Sequence, residues 1–201
     1  MRLPILFAVL ALGAAETATA QPATQLATQL FISPMGEPFR ATDGKPYPIA
    51  DWFAGADTNK DGMVTRPEFR ADALRFFKTL DVNGDGKLSE DEIVRYEKQI
   101  APEIIAATFD TSGTQAVEDS NGHKSPTPLY STQGATYYGL INSPEPVRAA
   151  DADLNRKVTQ DEWMAAADRR FKLLTPDDKD GFKLSDLPAT PFLVQYRRGG
   201  R

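Results

Sequence analysis

Two segments of the chain, 57–68 and 81–92, carry oxygen-bearing side chains in the same order, and only twelve residues separate them. They read DTNKDGMVTRPE and DVNGDGKLSEDE, with such side chains on the first, third, fifth, ninth and twelfth residues and glycine on the sixth. A hard divalent cation takes about six to eight oxygen ligands, and a tight loop of this pattern can supply them. The glycine permits the positive φ that so sharp a turn requires. The pattern predicts two cation-binding loops.

The predicted ligands of these two loops follow from the spacing. In loop one (57–68) they are Asp57, Asn59, Asp61, the backbone carbonyl of Met63, Thr65 and Glu68. In loop two (81–92) they are Asp81, Asn83, Asp85, the backbone carbonyl of Lys87, Ser89 and Glu92. The final glutamate closes the shell with both oxygens, as calcium sites commonly require. An acidic, glycine-rich surface turn is the alternative, but a match over the whole loop makes it the weaker interpretation.

A third segment, loop three (151–162), reads DADLNRKVTQDE and departs from the pattern at one position. Its predicted ligands are Asp151, Asp153, Asn155, the backbone carbonyl of Lys157, Thr159 and Glu162. Arg156 stands where glycine is expected. A residue with a Cβ atom costs on the order of 1 kcal/mol in the left-handed region. We therefore expect a weaker third site.

A repeat of 24 residues places a fourth copy of the unit near the end of the chain. The same step that relates loops one and two leads from Asp151 to Thr175, which opens TPDDKDGFKLSD (loop four, 175–186). Apolar residues align in this register. The residues four positions before the loops are Phe53, Phe77, Val147 and Phe171, and the eighth residues of the loops are Val64, Leu88, Val158 and Phe182. Such aligned columns indicate copies of one structural unit.

The ligand positions of loop four are degenerate. Thr175, Lys179, Asp180 and Asp186 occupy its first, fifth, sixth and last positions, and a lysine ammonium repels a cation. A register one residue later would use Asp178, Asp180 and Gly181, but it would turn Lys183 toward the core. We favour a scaffold loop and leave open a weak or irregular site formed by Asp177, Asp178 and Asp180.

The twelve residues between loops one and two set the fold. They span about 18 Å as a helix, so one helix must leave the first loop and enter the second, and the two loops lie too far apart to pair. Pairing should run between halves instead. We predict an all-α fold with four helix-loop-helix units in two halves, a helix shared inside each half and short β contacts between loops. The units, at 47–80, 69–105, 141–174 and 163–190, would form a single domain, 47–190.

The remaining segments are assigned from composition. An apolar run from Leu3 to Ala15 follows Arg2, and Ala18-Thr19-Ala20 supplies the small residues of a cleavage site, which predicts a signal peptide, 1–20. The run is shorter than the roughly 20 residues of a membrane span. An N-terminal extension (21–46), a mobile connector (about 110–134) with the lone His123 and a C-terminal tail (191–201) complete the chain. We expect a periplasmic or secreted protein without a stable membrane span after cleavage.

Loops one, two and three, with the relic at loop four, resemble the EF-hand superfamily, and the layout looks like secreted bacterial EF-hand domain proteins. The resemblance covers roughly residues 47–190. It implies calcium as the natural ligand and an all-α fold, but it implies little about biological role. Arg156 and the shared helices depart from the familiar pattern.

These observations predict an exported calcium-binding protein in which the ion stabilises the fold or is buffered, with two strong sites, a weaker third and a degenerate fourth. The alternatives are a calcium-dependent sensor or adaptor for a protein partner that the sequence does not identify, and a lanthanide-selective binder. We expect no enzyme, because the chain has no cysteine, one histidine and no G-x-S-x-G or HExxH motif. A net charge of −5 without a basic stripe argues against nucleic acid as a partner.

Overall fold

The computed structural model describes residues 29–42, 44–109, 133–176 and 179–199. The helices are α1 (Ile49–Ala56), α2 (Arg66–Leu80), α3 (Glu90–Arg95), α4 (Pro102–Phe109), α5 (Ala135–Tyr138), α6 (Gln160–Leu174) and α7 (Pro191–Gly199). The strands are β1 (Gln29–Ile32), β2 (Pro38–Ala41), β3 (Val64–Thr65), β4 (Lys87–Leu88), β5 (Val158–Thr159) and β6 (Gly181–Phe182). A π-helical turn spans Tyr96–Ile100, and 3-10 turns span Arg148–Ala150 and Leu184–Asp186.

Helices α2 and α6 are shared between consecutive loops, as the spacing requires. Helix α2 begins at the end of loop one and ends at Leu80, directly before loop two. Helix α6 occupies the same place between loops three and four. Each begins with a capping box, in which a threonine and the glutamate three residues later exchange hydrogen bonds. This exchange satisfies backbone N–H groups that a helix start otherwise leaves unpaired.

The apolar faces of α2 and α6 pack against each other and form the centre of the core. The ring of Phe69 lies 5.7 Å from that of Phe171, and the ring of Phe77 lies 5.8 Å from that of Trp163. The indole Nε1 of Trp163 donates a hydrogen bond of 2.8 Å to the carbonyl of Ala73. The first half (47–105) and the second half (141–190) are therefore held together through these two helices.

The short strands of the loops pair between the halves. Strand β3 of loop one is antiparallel to β6 of loop four, with Val64 opposite Phe182. Strand β4 of loop two is antiparallel to β5 of loop three, with Leu88 opposite Val158. Since one helix separates the loops of each half, each loop finds its partner in the other half.

Loop four adopts the register that begins at Thr175. Phe182 is 2% exposed and lies opposite Val64, whereas Lys183 is exposed. A Cβ atom on Gly181 would lie only 2.7 Å from the carbonyl oxygen of Val64, so the strand pairing requires glycine there. Asp177 and Asp178 lie outside the described residues, and weak binding through them stays a prediction.

The prediction of an all-α fold with four helix-loop-helix units is wrong. The described residues include three two-stranded sheets, and the fourth unit has no helix directly after its loop. Instead a 3-10 turn ends at Asp186, the next residue, Leu187, is extended with ψ 137°, and α7 begins only at Pro191. Pro188 explains the break, because proline disfavours helical backbone at the residue before it. The third unit is also incomplete, since only the turn Arg148–Ala150 precedes its loop.

Two segments outside the predicted domain also have regular structure. Strands β1 and β2, in the segment assigned to the N-terminal extension, form an antiparallel hairpin. Residues 191–199, assigned to the tail, form α7, whose Phe192 stacks on Tyr47 at 6.2 Å.

The predicted signal peptide and the connector, including His123, fall outside the described residues apart from 133 and 134. Among the helices of the described ranges, none has the length and apolar character needed to cross a membrane.

Candidate metal centres

Helix ends position the first and last predicted ligands of the loops. Asp57 and Asp81 are the C-terminal caps of α1 and α2, and their backbone N–H groups donate to Phe53 and Phe77 of those helices. The three predicted closing ligands occupy the third position of the next helix and belong to its capping box; they are Glu68, Glu92 and Glu162. Helix geometry thus places both ends of the ligand sets of loops one and two, and the closing ligand of loop three, whose first ligand Asp151 follows a 3-10 turn.

In loop one the carboxylate of Asp57 organises the turn. Its oxygens accept hydrogen bonds from the backbone N–H groups of Asp61 at 3.2 Å and Gly62 at 2.9 Å. The side-chain oxygen of Asn59 accepts a further bond, of 2.9 Å, from Asp61. These bonds hold the chain in a tight turn around the side-chain oxygens that the spacing assigns to a cation.

Loop two repeats the network. The oxygens of Asp81 accept bonds from the backbone N–H groups of Gly84 at 2.9 Å, Asp85 at 3.2 Å and Gly86 at 2.9 Å. The side-chain oxygen of Asn83 accepts from Asp85 at 2.8 Å. Since two separately encoded loops adopt the same arrangement, it follows from the shared residue pattern.

Loop three gathers its carboxylates most closely. Ligand atoms of Asp151, Asp153 and Glu162 all lie within 4.8 Å of one another, and no other group of three acidic or histidine side chains in the described ranges does so. The third position explains this, because loop three carries aspartate where loops one and two carry asparagine. In loops one and two the second aspartate, Asp61 or Asp85, is the fifth residue of the loop. Its carboxylate accepts a hydrogen bond from the backbone N–H of the residue two positions later. Loop three, whose turn carries Arg156 where the other two loops carry glycine, therefore has the most closely grouped carboxylates.

Hydrogen bonds keep the closing glutamates ionised. The hydroxyl of Thr65 donates to Glu68 at 2.6 Å, and this bond, with the Thr65 N–H, lowers the pKa of Glu68 to about 2. The backbone N–H and hydroxyl of Thr159 likewise lower the pKa of Glu162. Burial opposes ionisation of Glu92, but bonds from the Ser89 N–H and hydroxyl outweigh it and its pKa is also lowered. All three side chains are anionic at neutral pH, as cation binding requires.

The sixth residue of each of these loops has positive φ, including the one that is not glycine. Gly62 has φ 83°, Gly86 has φ 79° and Arg156 has φ 65°. A Cβ atom built on either glycine meets nothing within 4 Å. The position therefore disfavours side chains through backbone conformation alone, which is why loop three can accommodate an arginine at a modest cost.

This geometry predicts that Arg156→Gly tightens calcium binding at loop three roughly fivefold, which corresponds to the approximately 1 kcal/mol cost of a Cβ atom in this conformation. Affinities can be measured by calorimetry on the metal-stripped protein. Arg156→Ala is the matched control, because it removes the charge of the side chain and keeps its Cβ atom. Equal gains from both variants would assign the effect to charge, and no gain from Arg156→Gly would contradict the prediction.

Loop four lacks the first ligand of the other loops. The hydroxyl of Thr175 is buried and donates to the carbonyl of Phe171 at 2.9 Å. The carboxylate of Asp186 accepts from the backbone N–H of Lys183 at 3.1 Å. The first position therefore serves as a helix cap.

Sequence reasoning missed Arg148, which connects two of the loops. Its guanidinium donates to Glu90 at 3.0 Å and to Glu97 at 3.0 Å. Glu90 lies in loop two and Arg148 lies three residues before loop three, so the ion pairs join the two units whose strands pair. A basic residue just before the third loop is the only sequence signal for this link.

Comparison with known proteins agrees with this geometry. The EF hand family pattern matches residues 49–71 and 75–95, which contain loops one and two. The probable calcium-binding protein CML34 of Arabidopsis thaliana is 30% identical over 125 residues, which cover 56% of this chain and 91% of that protein. The chain belongs to the EF-hand family.

Proposed function

We propose that this EF-hand protein binds calcium outside the cytoplasm and that the ion stabilises its fold or is buffered by it. The observation that carries the proposal is the repeated network in loops one to three, where backbone N–H groups hold the side-chain oxygens of the first and third residues around one turn. The name of the Arabidopsis thaliana relative, which describes a probable calcium-binding protein, supports the same ion. Loops one and two are the stronger sites and loop three the weaker one. The role is not catalytic.

Electrostatics favours a stabilising role. Each of these three loops contains three carboxylates among its predicted ligands, and their mutual repulsion opposes folding until a cation neutralises it. An ion that binds only the folded state adds about 2.7 kcal/mol per site at a free concentration of roughly 100 times Kd. Extracellular modules commonly bind calcium at about 10⁻⁴–10⁻³ M, so modest affinity would suffice outside the cell.

The residues before Gln21 support export. A single arginine followed by an apolar run and Ala18-Thr19-Ala20 is typical of a cleaved signal peptide. Mass spectrometry of the protein recovered from a bacterial host tests this directly, since cleavage would leave Gln21 as the first residue. Full-length protein retained in the cytoplasm would contradict export without affecting calcium binding.

The central experiment is a calcium titration of residues 21–201 after removal of metal with a chelator. We expect two or three binding events by calorimetry and a higher melting temperature with calcium than with chelator. The control is the triple variant Glu68→Gln, Glu92→Gln and Glu162→Gln, which keeps similar side-chain shapes and removes the closing charges. Identical melting with calcium and with chelator, and no binding up to several millimolar, would contradict the proposal.

A competition titration distinguishes calcium from the chemically similar lanthanides. Both are hard cations that prefer oxygen ligands, so the spacing of the ligands does not separate them. Displacement of bound calcium by far lower concentrations of a lanthanide ion would favour the lanthanide-selective alternative.

A further inference from the structure

The turn of the β1–β2 hairpin (29–41) is held by polar side chains from both halves. In the first half, Tyr96 donates through its hydroxyl to the carbonyl of Gly36 at 2.7 Å, and Arg75 on α2 forms an ion pair with Glu37. In the second half, Arg170 on α6 donates to the carbonyl of Pro34 at 3.1 Å. The hairpin therefore connects the two halves at a place where neither calcium loop nor loop strand is involved.

The hairpin also contributes apolar side chains to the core. Leu30, Phe31, Ile32 and Met35 are 6%, 0%, 1% and 2% exposed. The ring of Phe31 lies 5.5 Å from that of Trp52 on α1. These side chains cover apolar surface of the EF-hand units that would otherwise meet solvent.

Contacts between the halves do not require the hairpin. The rings of α2 and α6 touch each other directly, and both loop sheets join residues of 64–88 to residues of 158–182. Along its backbone the hairpin pairs within itself, and its one β-bridge to another described segment joins Ile32 to Gly139. It is therefore packed as an addition to a pair of halves that have their own interface.

Arg170 shows that the second half is adapted to the hairpin. It occupies the position in α6 that Phe76 occupies in α2, yet it is 6% exposed. Its second terminal nitrogen donates to the carbonyl of Pro146 at 2.6 Å, and none of the ion pairs found among the described residues includes it. Burial lowers its pKa to about 10. A buried cation without a carboxylate needs acceptor carbonyls, and the hairpin turn supplies one of them.

We propose that the hairpin is an internal ligand that fills the cleft between the two halves and excludes other apolar partners from it. The occupant is a segment of the same chain, and calcium is not needed to hold it. Exclusion follows because the buried face of β1 and the carbonyl bound by Arg170 occupy surface that a partner peptide would need. The inference does not depend on the loops binding metal, so it can fail or hold separately from the proposed function.

The test converts the hairpin into a separable peptide. Residues 44–46 are exposed, so a protease recognition site can be inserted there in the mature chain, 21–201, and cut after folding. We expect the N-terminal fragment to co-elute with the remainder on gel filtration. A labelled synthetic peptide of residues 29–42 should exchange into the complex, and the same peptide with Phe31→Asp should not.

Circular dichroism and dye binding of the protein without its hairpin fragment complete the test. After the fragment is washed out in mild denaturant and the denaturant is removed, the remainder should keep helical circular dichroism and bind an apolar fluorescent dye. The intact protein should not bind the dye in calcium or in chelator. Immediate loss of the fragment on cutting, or unfolding of the remainder without it, would overturn the proposal. Release of the fragment by calcium would overturn it as well.

Discussion

Glu92→Gln is expected to lower calcium affinity at loop two by more than about 100-fold and to weaken loop three as well. Loss even of an outer-shell partner of a metal ligand costs roughly 10–100-fold, and Glu92 is the predicted bidentate ligand. The effect should reach loop three because β4 and β5 pair directly, with Lys87 opposite Thr159. The Gln160 N–H also donates to the carbonyl of Gly86 at 3.2 Å. A coupling of about 1–3 kcal/mol corresponds to a loss of roughly 5–150-fold at loop three.

Amide NMR signals report the loops separately. The N–H groups of Gly62, Gly86 and Arg156 each donate to the first aspartate of their own loop, so each signal follows the filling of one site. Titration of the wild type and of Glu92→Gln gives the affinity of loop three in both proteins.

Glu68→Gln is the matched control, because loop one pairs with loop four instead of loop three. It should abolish the site in loop one and change the affinity of loop three by less than about twofold, within the size of ordinary surface effects. Equal losses at loop three from both variants would show that coupling does not pass through the β4–β5 pair. An unchanged calcium affinity of loop three in Glu92→Gln would also show that coupling does not pass through the β4–β5 pair.

Trp163→Ala is expected to lower the free energy of unfolding by about 3–5 kcal/mol, the range observed when a buried tryptophan or phenylalanine is truncated. Trp163 is 0% exposed and its ring lies 5.8 Å from Phe77 and 6.2 Å from Phe76. It is the first apolar residue after loop three and packs on α2 of the other half. Its loss therefore leaves a cavity at the interface that holds both halves together.

Urea denaturation of the calcium-loaded protein measures the effect. Trp163→Phe keeps most of the apolar contact and removes the bond to Ala73, so it should cost about 1 kcal/mol for the bond plus a smaller packing term. Leu173→Ala is the surface control: Leu173 lies on the same helix and is 67% exposed, and such changes usually stay within about 0.5 kcal/mol. If Trp163→Ala lowers the free energy of unfolding no more than this control does, the α2–α6 interface does not hold the two halves together as proposed.

The shared helices and the pairing of loops between the halves were predictable from spacing, whereas the particular partners, loop one with loop four and loop two with loop three, came only from the structure. Twelve residues between Glu68 and Asp81 leave room for one helix, and its length keeps the two loops of a half apart. The inward position of Phe182 also followed from alignment with Val64, Leu88 and Val158, since a strand two residues long must place the same column inward in each copy. These inferences needed only helix length and period. The ligand assignments, and their division into stronger and weaker sites, remain predictions to be tested with metal.

The incomplete third and fourth units were the point at which pattern reasoning failed. Apolar columns continue through Val147 and Leu187, and they predicted whole units. Local backbone restriction prevailed, because Pro144 and Pro146 precede the short turn before loop three and Pro188 follows Leu187. These prolines are visible in the sequence, but a prediction made from the apolar period alone does not take them into account.

By itself the sequence determined what depends on local order: the three ligand patterns, the turn position of Arg156, the shared helices and the register of loop four. Only the tertiary structure decided that the hairpin contacts both halves and that Arg170 on α6 binds its turn. Strands of four residues carry too little periodicity to identify a partner. Arg170 interrupts the apolar face of α6 and binds the carbonyl of Pro34, which lies 136 residues away in the chain. Contacts so distant in sequence depend on which surfaces remain uncovered after the two halves pack, and this is a property of the assembled core.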